Sequence, residues 1–148
     1  VGAGYITFTN QFITDTGLKN SSAKWIPKNS IVVAMYGATA GKVGMTLLPL
    51  TTNQAVCAIL PSQDFNPYFL YHAIRANEAW MIERRTGAAQ PNISQSVVRS
   101  IPLIVPPLVL QNHFAIFVEK TECMRTSICH SLEILTTLKQ SLLQECFG

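Results

Sequence analysis

The stretch LVLQNHFAIFVEKTECMRTSICHSLEILTTLKQSLLQEC, residues 108–146, decides how this chain is organised. It contains neither proline nor glycine, the residues that most often end a helix. Alternate steps of three and four pass through Phe114, Phe117, Thr121, Met124, Ile128, Ser131, Leu135, Leu138, Leu142 and Glu145. Seven of these ten positions are apolar, which is the seam of a heptad repeat over about four heptads. As a single helix the stretch would be roughly 58 Å long, more than the diameter of a small domain. Part of its apolar face therefore has nothing of its own chain to lie on. The stretch is either a helix broken into two that fold back on the first domain, with the break expected at Cys129-His130-Ser131, or an unbroken helix that packs against a partner helix. The partner reading makes Phe114, Phe117, Met124, Ile128, Leu135, Leu138 and Leu142 dimerisation residues.

Ahead of the helix, residues 1–107 read as a mixture of strand and helix, so the whole chain is α+β with a boundary at 107/108. Residues 5–9 alternate bulky and polar side chains, as a half-buried strand does. Asp15-Thr16-Gly17 and Ile26-Pro27-Lys28-Asn29 read as turns. Residues 30–36, 43–48 and 55–60 are apolar or β-branched runs that suggest strands. Asn66-Pro67 opens a helix, with Asn as the cap and Pro at the first helical position. That helix is expected to reach about Asn77, with residues 80–84 as an extension. Residues 87–92 read as a loop, 94–100 as a short helix and 101–105 as a strand closed by Pro106-Pro107.

The 148 residues carry 11 Lys and Arg against 8 Asp and Glu, a net charge of +3. Charge is unevenly placed. Residues 1–100 hold eight basic and four acidic side chains, and residues 101–148 hold three and four, so +4 is followed by −1. Only 13% of residues are charged, where about 25% is usual, while the apolar share of 48% is ordinary. Low charge with normal hydrophobicity excludes a disordered chain and leaves apolar surface to be covered by a partner. Cys57, Cys123, Cys129 and Cys146 form no C-x-x-C pair, and no second Cys-His pair joins Cys129-His130. They are expected to be buried free thiols in a cytoplasmic protein. The most apolar stretch, residues 101–110, holds three prolines and is too short to span a bilayer.

Patterns that suggest catalysis fail on inspection. Gly37-Ala38-Thr39-Ala40-Gly41-Lys42-Val43 resembles a phosphate-binding P-loop, but its glycines are one residue too close and Val43 lacks the hydroxyl that holds magnesium. Asn66-Pro67-Tyr68-Phe69 resembles the Asn-Pro-Pro-Tyr motif of adenine methyltransferases without its second proline. His72, His113 and His130 have no evident carboxylate partner in a loop, and the acids of the first region form no close pair. Two polar, basic loops remain, residues 36–42 and 84–92. Glycines let a backbone approach a phosphate, Lys and Arg attract it, and Arg, Gln and Asn can grip base edges. Such loops suit DNA and suit ordinary solvated turns equally well.

The order of motifs is more informative than any one of them. Gly17-Leu18, Ile26-Pro27-Lys28-Asn29-Ser30, Gly41-Lys42-Val43-Gly44, Thr52-Asn53-Gln54-Ala55 and Phe69-Leu70-Tyr71 come first. Pro91-Asn92-Ile93-Ser94, Ile101-Pro102-Leu103 and Pro106-Pro107-Leu108-x2-Gln111 lead into the helix, which ends in Lys139-Gln140-Ser141-Leu142-Leu143-Gln144. This series resembles the DNA specificity subunits of type I restriction-modification systems. The resemblance implies a mixed-sheet target recognition domain followed by a spacer helix that pairs as an antiparallel coiled coil. In the family two such units read the halves of a bipartite site in double-stranded DNA. The subunit is not itself an enzyme and holds no cofactor; it directs methyltransferase and restriction subunits. One unit is present here, and the resemblance implies that several dozen residues precede Gly4-Tyr5-Ile6 in the family. On this reading Tyr36, Thr39, Lys42, Arg84, Arg85, Gln90 and Asn92 are the expected DNA contacts, with the cations on phosphates. A second copy is the expected partner of the helix. The competing expectation is an interaction module that docks on the modification subunit through its helix without reading DNA.

Overall fold

A computed structural model describes residues 4–87 and 90–147. The expected α+β architecture is present: a mixed sheet with short helices runs into one long C-terminal helix. Four strands form the sheet: β1 (Gly4–Ile6), β3 (Ile31–Ala34), β4 (Val43–Thr46) and β6 (Val56–Ile59). Their order is β1-β4-β3-β6, with β1 parallel to β4 and the other neighbours antiparallel. All four residues of β3 are buried, as a continuous β-branched run at the centre of a sheet requires. Ile31, Val33, Val43 and Met45 form one core with Leu70, Tyr71 and Ile74 of α2 (Pro67–Ala76). A separate two-stranded ribbon pairs β2 (Lys24–Ile26) with β5 (Leu50–Thr52), burying Ile26 opposite Leu50.

Capping fixes the helix starts. The Asn66 side chain accepts from the Tyr68 and Phe69 amides, as Asn-Pro at a helix entry should. Ser94 accepts from the Val97 amide to open α4 (Gln95–Arg99). At Asp15-Thr16-Gly17 the structure has not a turn but α1 (Asp15–Lys19), because the Thr14 hydroxyl accepts from the Gly17 amide. The expected extension over residues 80–84 is a separate helix, α3 (Glu78–Glu83). Asn77 ends α2, its side chain donating to the Ala73 carbonyl, and the chain turns there. Strand was expected at 101–105, but the segment is irregular; Pro102, Pro106 and Pro107 have no N–H for a ladder.

The long helix, α5 (Leu108–Phe147), is unbroken for 40 residues, about 60 Å. No break occurs at Cys129-His130-Ser131. The Ser131 hydroxyl donates to the Ser127 carbonyl within the helix, as Thr121, Thr126, Thr136, Thr137 and Ser141 do to their own fourth-preceding carbonyls. Three of the four cysteines lie on this helix and are exposed; only Cys57 is buried. That corrects the expectation of buried thiols, since a helix standing clear of its domain buries little. No helix among the described residues is long and apolar enough to cross a membrane.

Candidate nucleic-acid interface

The two polar loops picked out in the sequence meet at one end of the sheet. Residues 36–42 leave the end of β3 and return as β4, with a 3-10 turn at Gly37–Thr39. Tyr36 and Thr86 both bridge to Asn92. The Gly37 amide donates to the Pro91 carbonyl (2.9 Å), and the Thr86 and Asn92 amides exchange bonds with each other's carbonyls (2.9 and 2.8 Å). The Thr86 hydroxyl donates to the Asn92 side-chain oxygen at 2.8 Å. Gly87 has φ +86, and a Cβ there would lie 2.6 Å from the Gln90 carbonyl oxygen, so only glycine fits. Ala88 and Ala89 of this loop lie outside the described residues. Tyr36, Thr39 and Gln90 are exposed on the rim, whereas Asn92 is half-buried and knits the loops together.

The three expected cations are each engaged by their own fold. Lys42 reaches Glu78 at 3.3 Å, and the same carboxylate accepts from the Val43 amide at 3.2 Å. Arg84 lies over the Trp80 ring, 3.9 Å from its centroid, and donates to the Trp80 carbonyl at 3.0 Å. Arg85 is half-buried and donates to the Ala40 carbonyl, and its Nε is buried with no partner among the described residues. Glu78 and the carbonyl ends of short helices recruit these cations, which sequence spacing does not reveal. The P-loop-like segment is thus a turn closed over an acid.

The second assembly is the joint between α2 and α5. Gln111 is almost wholly buried, at 1% exposure, and its amide makes three bonds to two other segments. Its oxygen accepts from the Asn66 amide (2.9 Å), and its nitrogen donates to the carbonyls of Pro106 (2.9 Å) and Asp64 (3.3 Å). The Asn66 side-chain nitrogen also donates to Asn112 (2.9 Å), so one asparagine caps α2 and holds α5. No reading of the sequence marked Gln111 for this task, although it closes the Pro-Pro-Leu-x2-Gln motif.

Phe114 was expected in an intermolecular seam. It packs instead against Phe69 and His72 of α2, with ring centroids 5.9 and 5.7 Å apart. Burial and the Arg75 charge hold the His72 pKa below its usual value, and Glu122 opposes them. Burial, foremost, pushes the neighbouring Tyr5 and Tyr71 phenols up. The remaining expected seam residues, Phe117, Met124, Ile128, Leu135, Leu138 and Leu142, are all more than half exposed.

A small mixed-sheet domain thus presents polar loops at one end and runs straight into a long exposed helix. Comparisons with known proteins place this chain in a family. The type I restriction modification DNA specificity domain matches residues 3–139, and the chain belongs to that family. It is 25% identical over 145 residues to the EcoR124I/EcoR124II specificity subunit of Escherichia coli, covering 95% of this chain and 36% of that protein. It is 31% identical over 105 residues to the HindI specificity subunit of Haemophilus influenzae, covering 69% of this chain and 23% of that one. A solved structure described as "Structural basis underlying complex assembly and conformational transition of the type I R-M system" contains a chain of the same fold. The TM-score is 0.59 at 14% identity, over 84% of this chain and 32% of that chain. The chain therefore spans about a quarter to a third of the length of these relatives.

Proposed function

We propose that this chain reads duplex DNA as a specificity element of a type I restriction-modification complex, and directs methyltransferase and restriction subunits to a bipartite site. Residues 1–107 form the target recognition domain and residues 108–148 the spacer and dimerisation helix. The domain meets DNA at the loop end of the sheet. Tyr36, Thr39 and Gln90 contact bases or backbone directly, Asn92 holds the loops in register, and Lys42, Arg84 and Arg85 add charge from behind them. The helix pairs antiparallel with a second copy through Phe117, Met124, Ile128, Leu135, Leu138 and Leu142. The observation that carries this reading is the family match over residues 3–139, joined to two polar loops converging on one end of the sheet. The chain needs no cofactor for this role.

A mobility-shift assay over increasing salt tests it. Affinity for duplex DNA should fall steeply with salt, because phosphate contacts release counterions. Tyr36→Ala combined with Gln90→Ala should weaken binding by about tenfold, given about 1–3 kcal/mol for a good base contact. Co-purification with a modification subunit but no shift of DNA would favour the competing reading, a docking module that no longer reads sequence.

A further inference from the structure

Lys42, Arg84 and Arg85 are occupied, yet the first hundred residues carry a net charge of +4. The topology brings unengaged cationic surface to the same end of the sheet. Strand β6 starts where β3 ends: Val56 pairs with Ala34, and the Met35 amide donates to the Ala55 carbonyl at 2.8 Å. Only Asn53, Gln54 and Ala55 separate β6 from Thr52, which lies opposite Lys24 at the outer end of the ribbon. The ribbon tip therefore lies toward the same end of the sheet as Tyr36. Lys28 and Asn29 lie at the other end of β3, where the Asn29 amide bonds the Thr46 carbonyl.

At the tip, Lys24 is exposed and in no ion pair among the described residues. Trp25, which buried cores normally claim, is 63% exposed in the middle of β2. Gln54 is exposed, and Asn53 is held in a tight turn by accepting from the Ala55 amide at 3.1 Å. Between the ribbon and the edge of β6 lies an open groove of about 350 Å³, lined by Ser22, Lys24, Trp25, Thr52, Asn53 and Gln54 among others. A lysine, an aromatic face and side-chain amides around one groove are the groups that meet phosphate, sugar and base edges.

We infer that the β2–β5 ribbon tip is a second duplex-contact surface, at the same end of the sheet as the Tyr36 loop. Lys24 supplies a phosphate contact, Trp25 packs on the sugar-phosphate backbone, and Gln54 faces a groove. This rests on the proposal that the chain reads duplex DNA. The test is binding of the full chain to a mixed-sequence 30-base-pair duplex across a salt series. Lys24→Gln should lower the slope of log affinity against log salt by about one, for one phosphate contact. Lys28→Gln, an exposed lysine at the far end of β3, should leave the slope unchanged. In a Trp80→Phe background, where Trp25 is the one remaining tryptophan, emission should change on adding duplex. If Tyr36→Ala weakens binding while Lys24→Gln keeps the parent slope, the ribbon is not a contact surface and the loop reading stands. If the unsubstituted chain binds no duplex at all, both readings fall. Circular dichroism of each variant separates lost contact from lost fold.

Discussion

At the scale of single residues, Gln111 is where the domain and the helix become one object. Gln111→Leu would leave the Asn66 amide and the Asp64 and Pro106 carbonyls without their partner in a buried place. Stability should fall by about 2–4 kcal/mol, since each unsatisfied buried group costs about 1–3 kcal/mol and water will reach some of them. A shift in the urea midpoint measures it. Gly87→Ala should cost about 1–3 kcal/mol, because a Cβ must clash with the Gln90 carbonyl at a positive φ. These roles differ in how legible they were. Asn66 announced itself, because capping needs only the local pair Asn-Pro. Gln111 did not, because its partners are 5, 45 and 47 residues away. The same distance effect hid the engagement of Lys42 by Glu78, 36 residues apart.

Among the elements, the joint of α2 and α5 should respond to pH. The His72 pKa is lowered in the fold by burial and Arg75, with Tyr5, Tyr71, Phe114 and Glu122 around it. The folded state therefore favours neutral histidine, while the unfolded chain takes up a proton at about pH 6.5. Stability from this site is fully present above that pH and is lost as pH falls through it towards the folded value. Denaturation midpoints followed from pH 8 to pH 5 should drop, and His72→Phe should flatten the part of the curve below pH 6.5. Long elements with a strong period, α2 and α5, were readable in the sequence. The ribbon was not: three-residue strands such as β2 and β5 offer too few positions for a period, and Trp25 and Ile26 part company only once a partner strand is in place. The proline-rich segment at 101–105 misled in the opposite sense, because apolar composition without amide donors cannot make a ladder.

For the whole molecule, the exposed stripe along α5 is the largest unanswered demand of the structure. Met124, Ile128, Leu135, Leu138 and Leu142 lie exposed along it, and an apolar patch of this kind marks an interaction site. Sedimentation at tens of micromolar should show a dimer, and Leu138→Asp should shift it to monomer while leaving the domain folded. A monomer at that concentration, insensitive to the substitution, would remove the second copy from the proposal. The apolar spacing was legible in the sequence, because a heptad period survives translation into one unbroken helix intact. At one end of it Phe114 packs on the chain's own α2.

The rigid attachment at Gln111 also has a geometrical consequence. An unbroken arm of about 60 Å converts a rotation of about 3° at its base into a displacement of about 3 Å at its tip, close to the rise of one base pair. If two such arms hold two reading heads apart, the tolerance of the machine for the length of DNA between its targets is set at the pivot rather than along the rod. A ruler of this kind is only as accurate as its hinge, and here the hinge is a buried glutamine amide bonded to residues 64–66 and Pro106, beside the Asn66–Asn112 bond and the Phe114 packing.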